Sequence, residues 1–336
     1  MIGIFTTVKN NYDLTRKWLE KESWLIDVPI LLLDVGSNLE EVERQRNTPF
    51  RENVDLIIAK SSSLQSNYVE AFEHFKRKGI EWVLFSHQDN HCVTKNFHKK
   101  INHYILKGYL DNFGMVGFNT YHDSDVDKYI PNHPIDLMTL SRTPLERTDG
   151  HYRRRVSSTF NYKAVGNKAD AIAVFMPYIT SLLINRDTYL TNIEVDNNFQ
   201  FFHALDDVAM QFLNKGLWNV CLTKITMIHD QRMKLHTSDN LILKSPQAKD
   251  SEVVRRYGRI DYLMVWKEKW GFEYSIEKRV FGLRVPHMKI FKYIDTIAIR
   301  GYKKIRYRYI DSLVDLFYLN NPSCGAVKMF FFSKKG

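Results

Sequence analysis

Apolar and polar positions fall into blocks along the first third of the chain, and the blocks read as strand, helix, strand. Residues 1–8, 28–34, 54–59 and 82–86 are short apolar runs, the last of them Trp-Val-Leu-Phe-Ser. Runs of this length, largely free of charge, are the mark of strands buried on both faces. Between them a helix is expected over residues 13–21 with Asp13 as its N-cap. Another is expected over 67–78, closed by Gly79, with Tyr68, Ala71, Phe72 and Phe75 forming a core-facing stripe. Val35 to Asn38 reads as a turn and residues 61–66 as a polar loop. Connections too long for hairpins predict a mostly parallel sheet flanked by helices.

The second half is less regular. A helix is expected over 96–110, a strand over 115–118, and strand material over 171–185 and again over 218–223 and 225–228. Residues 119–161 are polar and broken by Pro131, Pro134 and Pro144. A segment of that length without its own periodicity belongs to a functional loop more than to a core. The Arg153-Arg154-Arg155 run inside it fits a solvated loop or a phosphate contact. Residues 199–216 carry a helix with Asp206 and Asp207 at its positive end and Gly216 at its close. A further helix is expected over 253–270.

Candidate chemistry gathers where these strands end. The strand at Trp82 runs into His87-Gln88-Asp89-Asn90, at the edge where an open α/β sheet forms its binding crevice. A carboxylate helped by an imidazole there suits a hard divalent ion holding a diphosphate, although Asp89-Asn90 also suits a plain turn or cap. His229 ends a later strand in the same manner. His91, His98 and His103 are expected along one helix as solvated or packed residues, since no cysteine or acid completes a shell.

Composition narrows the class. With 44% hydrophobic and 26% charged residues among 336, the chain buries a sizeable core and is not disordered by default. Cys92, Cys221 and Cys324 form no CxxC pair, which argues against a structural zinc site or a disulfide framework and fits a reducing compartment. No apolar run approaches the ~18 residues of a membrane span, and the N-terminus enters a strand at once rather than a signal segment; a soluble or peripheral protein is expected.

The net charge of +10 is uneven, because residues 274–336 hold 13 Lys/Arg against 4 acidic residues. Within that tail, Ile290, Ile294 and Ile297, then Tyr302, Ile305, Tyr309, Leu313 and Leu316, recur at helical spacing on either side of Gly301. The expected basic amphipathic helices offer a face to an anionic membrane surface or pack on the domain or a second subunit, making an oligomer. The same charge admits nucleic acid, but no recognisable RNA or DNA module accompanies it.

Taken together, the motifs resemble a family 2 glycosyltransferase of the GT-A fold. Thr6-Thr7-Val8-Lys9-Asn10 resembles the family's first strand and loop, and Leu33-Asp34-Val35-Gly36-Ser37-Asn38 its Asp-x-Gly-Ser turn. Ser66-Asn67 resembles the Arg-Asn that starts the next helix, with Ser66 in place of Arg. His87-Gln88-Asp89-Asn90 falls on the Asp-x-Asp metal motif, closest to the Asp-Gln-Asp-Ser of rhamnosyltransferase-like members, with His87 in place of the first Asp. Asp206-Asp207 falls on the Glu-Asp signature with Lys215-Gly216 following. His229 falls on the late metal-site histidine, and Trp266-Lys-Glu-Lys-Trp270-Gly271 resembles the Lys-Trp-Gly ending. The likeness covers roughly residues 1–272, with 1–118 as the nucleotide-sugar half, 119–272 as the acceptor and catalytic half, and 273–336 as the basic helical extension.

The resemblance implies an enzyme with a UDP- or dTDP-sugar as donor and a glycan or lipid-linked hydroxyl as acceptor, working in surface polysaccharide synthesis at the cytoplasmic face of a membrane. It implies donor contacts from Thr6, Thr7, Lys9, Asp34, Asn67, His87, Gln88 and Asp89. It also implies Mg²⁺ or Mn²⁺ on Asp89 and His229, and inversion with Asp207 as the acceptor base, Asp206 standing second. Asp206 and Asp207 otherwise serve as a helix cap. A GT-A protein that binds sugar nucleotide without turnover is the alternative raised by His87.

Overall fold

The structure, a computed structural model, describes residues 2–48, 50–61, 63–123, 140–141, 147–148, 151–152, 169–177, 179–199, 203–230, 262–270, 279–280, 283–284 and 329–332. The Arg153 to Arg155 run and the expected tail helices over 289–319 lie outside them.

The architecture is the α/β one expected of a GT-A fold. Strands β1 (Ile2–Val8), β2 (Ile30–Asp34), β3 (Val54–Ile58) and β4 (Trp82–Ser86) alternate with helices α1 (Tyr12–Lys21), α2 (Leu39–Asn47) and α3 (Leu64–Arg77). A three-residue strand β5 (Asn90–Cys92) and helix α4 (Phe97–Leu106) come next, then β6 (Phe113–Asp123), β7 (Ala171–Met176) and β8 (Ser181–Asn185). Helix α5 (Arg186–Asn192), helix α6 (Ala204–Asn214), β9 (Trp218–Asp230), helix α7 (Tyr262–Trp270) and β10 (Met329–Phe330) complete the elements that position the site.

These strands form one sheet in the order β10-β7-β9-β6-β8-β4-β1-β2-β3, with β5 beside β9. Pairing is parallel among β3, β2, β1 and β4 and between β6 and β9; β8 runs antiparallel to both β4 and β6. The parallel half therefore ends at β4, and β8 inserts beside it to open a mixed half.

Alternation along the central strands builds a core on each face. Phe5, Leu31, Val83 and Phe85 point to one side, where α3, α5, α6 and Trp266 of α7 pack; Ile4, Leu32, Trp82 and Leu84 point to the other, against α1 and α4. The predicted stripe on α3 is fully buried at Tyr68, Ala71, Phe72 and Phe75. A Cβ on Gly3 would lie 2.5 Å from the Phe75 ring, so β1 and α3 are in contact closer than a side chain allows.

Several expectations shift. Asn11, not Asp13, precedes α1, and Asp13 sits in its first turn. The segment after the Asp34 turn is helix α2, capped by the Asn38 side chain on the Glu41 amide, 2.9 Å away; only Leu39 and Val42 interrupt its polar run, so periodicity gave little signal. The two strands expected over 218–228 are one, and residues 186–192 turn helical after β8. His91 lies in β5 and not on the helix that carries His98 and His103. Residues 329–330 of the expected tail join the main sheet as β10, antiparallel to β7. Phe332 stacks on Tyr109 at 4.9 Å.

Candidate functional site

The loops after β1 and β2 are zipped together at the carboxyl edge of the sheet. Asp34 ends β2 and is buried; its Oδ1 accepts from the amides of Gly36 at 2.9 Å and Ser37 at 2.7 Å, and Tyr12 donates its hydroxyl to Oδ2. This is an aspartate closing its own turn, with Gly36 at φ +107 supplying the left-handed step. Burial and then the hydrogen bond and charge of Asp34 hold the Tyr12 hydroxyl well above its ordinary range. Across the gap the Asn10 amide donates to Ser37 Oγ and the Asn38 amide to Asn10 Oδ1, each at 2.8 Å. Thr6 is buried in β1 and Lys9 is exposed in the loop beyond it. Tyr12 was missed by sequence reasoning because an aromatic at a helix start reads only as core.

The β4 end comes to the same edge. Gln88 donates from Nε2 to the Thr7 carbonyl at 2.8 Å, so the β1 and β4 ends are tied side to side. The His87 amide donates to the Thr180 carbonyl at 2.9 Å, which turns the chain out of the sheet. In the short β5 strand that follows, Asn90 pairs with His229 of β9, and this pairing carries His229 against Asp89. His229 Nε2 lies 3.0 Å from Asp89 Oδ2, and His87 Nδ1 lies 3.8 Å from Asp89 Oδ1.

One ligand atom from each of His87, Asp89 and His229 lies within 4.8 Å of the other two. The Asp89 and His229 side chains are each 4% exposed, whereas that of His87 is 35% exposed. Two imidazole nitrogens and a carboxylate, closed on one side and open on the other, fit a divalent cation that keeps positions for a substrate oxygen or water.

A second polar cluster lies at the α6 N-terminus. Asp207 is fully enclosed, and Nε2 of Gln65 reaches its Oδ2 at 3.1 Å and the Ala204 carbonyl at 2.8 Å. Gln211 Nε2 meets the same Oδ2 at 2.8 Å, Trp270 Nε1 donates to Oδ1 at 3.0 Å, and Lys269 Nζ lies 2.9 Å from Oδ1. Lys269 also reaches Asp196 at 2.9 Å. Asp206 is nearer the surface, with His203 Nδ1 at 3.1 Å from its Oδ2. His203 itself takes a left-handed backbone at φ +57 where α6 begins.

The first turn of α3 lies between the two clusters. Gln65 touches α6, while the Tyr68 ring lies 5.3 Å from Phe85, whose ring is 5.2 Å from that of His87. Asn67, in the next position, is buried with its Oδ1 lacking a hydrogen-bond partner among the described residues. Thr6, Thr7, Asp34, Gln88, His87, Asp89 and His229 are thus brought to one edge, while Asp206 and Asp207 sit beyond α3. Gln65 gave no signal in the sequence. Lys269 and Trp270 were visible within the Trp-Lys-Glu-Lys-Trp motif, but not as partners of Asp207.

No family model and no curated protein matches the chain. Among solved structures 241 chains align with it, including the crystal structure of GalNAc-T7 with UDP, GalNAc and Mn²⁺ at TM-score 0.45 and 11% identity. That alignment covers 90% of this chain and 58% of the other, so this chain spans less than two thirds of that protein. No helix among the described residues is long and apolar enough to cross a membrane.

Proposed function

We propose that the protein is an inverting glycosyltransferase. It takes a sugar from a UDP- or dTDP-sugar and passes it to the hydroxyl of a glycan or lipid-linked acceptor in surface polysaccharide synthesis. The observation that carries this reading is the His87-Asp89-His229 cluster, open on its His87 side and set beside the Asp34 and Thr7 loops.

His87, Asp89 and His229 would hold a divalent cation, which when bound would supply positive charge towards a diphosphate leaving group. The chain's own part is to position the donor. The Asp34 turn, with Thr6, Thr7 and Lys9, forms the nucleoside side of the edge, and Gln88 fixes the β4 end against β1 so that Asp89 keeps its place.

On the acceptor side a base takes the hydroxyl proton as the oxygen attacks the anomeric carbon. Asp207 was the first expectation. Its two oxygens are already engaged by Gln65, Gln211, Lys269 and Trp270, and the side chain is fully enclosed, so neither oxygen is open to an acceptor hydroxyl. We therefore assign the base to Asp206, steadied by His203, and give Asp207 the work of joining α6 to α3 and α7.

A panel of UDP- and dTDP-sugars, screened by thermal unfolding with and without Mn²⁺, tests the reading. At least one donor is expected to raise the midpoint in a metal-dependent way, because a ligand that binds only the folded state stabilises it. If no nucleotide sugar shifts the midpoint and none is hydrolysed or transferred, the reading fails.

A further inference from the structure

Two of the three protein atoms that could hold a metal ion at this site are imidazole nitrogens. Resting on the metal-assisted reading above, we propose that His87 is the residue that sets metal selectivity, and that it tunes the site to a first-row transition-metal ion, Mn²⁺, Co²⁺ or Zn²⁺, and against Mg²⁺.

Three observations make His87 part of the set and not a bystander in the turn. Its backbone is fixed by the amide bond to the Thr180 carbonyl. Its ring stands edge-on to Phe85 at 5.2 Å and 89°, and 6.3 Å from the His229 ring at 74°, so packing limits how it turns. The two oxygens of Asp89 are divided between the imidazoles, Oδ2 towards His229 and Oδ1 towards His87. The carboxylate thus lies between two imidazoles, hydrogen-bonded to His229 at 3.0 Å and facing His87 at 3.8 Å.

The consequence follows from ligand preference. Mg²⁺ demands oxygen ligands in near-octahedral array and gives up its waters reluctantly. Imidazole suits Zn²⁺, Co²⁺ and other first-row ions, while carboxylate and water suit Mg²⁺ and Mn²⁺, so a site of two imidazoles and one carboxylate favours ions that accept both. His87 is the more exposed ligand, so it stands on the side from which a diphosphate would approach. A hard oxygen at that position would restore a Mg²⁺ site; the imidazole removes it.

The test uses the full chain with metal alone and no donor. Mn²⁺ binding is followed by electron paramagnetic resonance and calorimetry, with Mg²⁺, Co²⁺ and Zn²⁺ as competitors. Mn²⁺ is expected to bind at least roughly tenfold more tightly than Mg²⁺, Co²⁺ and Zn²⁺ more tightly still, with pulsed spectra showing coupling to two imidazole nitrogens. His87→Asp should keep Mn²⁺ binding, lose one nitrogen coupling and narrow the gap to Mg²⁺, and the unfolding midpoint of metal-free His87→Asp checks that the fold is intact. The inference is overturned if Mg²⁺ binds within about twofold of Mn²⁺, if neither ion binds, or if a folded His87→Gln variant leaves Mn²⁺ affinity and both couplings unchanged. A chain that shows the selectivity but turns over no nucleotide sugar keeps this inference and loses the transferase reading; one that transfers sugar with Mg²⁺ bound as tightly as Mn²⁺ does the reverse.

Discussion

Lys269 sets its ammonium 2.9 Å from one oxygen of Asp207 and 3.0 Å from the other, and also reaches Asp196, so the end of α7 is pinned to the start of α6 by a charge pair closed off from solvent at Asp207. The Lys269 side chain keeps access to solvent and to Asp196, so the cost of changing Asp207 falls on the donors of Gln65, Gln211 and Trp270 that converge on its buried carboxylate.

Asp207→Asn should therefore act on stability. We expect a loss of about 3 kcal/mol in denaturant unfolding from the donors left facing an amide, while Asp206→Asn leaves the unfolding midpoint within error and lowers donor turnover by about a hundredfold or more. If Asp207→Asn is as stable as the parent and inactive, the two roles are exchanged.

Tyr12 and Asp34 give a second prediction. Tyr12→Phe removes the hydroxyl donor to a buried carboxylate, and hydrogen bonds to charged groups contribute about 1.5–3 kcal/mol. The loss should appear in unfolding and should be accompanied by weaker stabilisation from nucleotide sugars, because the same loop borders the donor edge. Unchanged stability in Tyr12→Phe would show that the amides of Gly36 and Ser37 hold Asp34 unaided.

The pH response of the α6–α7 junction has a definite sign. Burial raises the Asp196 carboxyl, but the hydrogen bonds and charge of Lys269 and the Asn198 amide outweigh it and leave the group below its ordinary value. A carboxylate depressed in the folded state contributes stability above its unfolded value, near 3.9, and that contribution is lost as pH falls through the folded value. Asp55 is also depressed, burial being outweighed by Lys78 and His74, so it adds to the same acid limb. The double variant Asp196→Asn, Asp55→Asn should lose stability near neutrality and show a shallower fall below about pH 4, measured by urea unfolding at stepped pH. An unaltered acid limb would refute this.

Burial pushes the thiols of Cys92 and Cys221 up to about 12, so neither forms an appreciable thiolate at neutral pH. In a Cys324→Ser background, a disulfide-exchange reagent at pH 8 should label the native chain slowly and both thiols at once on unfolding. Rapid labelling of the folded chain would contradict the packing described.

What the sequence by itself determined was local. Unbroken apolar runs at 30–34 and 82–86 specify strands buried on both faces, and the Tyr68 to Phe75 spacing specifies which side of α3 meets them, because period and burial are properties of neighbouring residues. It also marked Asp34, Asp89, His229 and Asp206-Asp207 as chemistry-bearing ends. The tertiary structure decided which of these meet. His229 is 140 residues from Asp89 and reaches it only because β9 pairs with β5, and Lys269 finds Asp207 across 62 residues because α7 packs on α6. No periodicity encodes such pairings, since they are fixed by strand order and by the cost of leaving a buried charge alone.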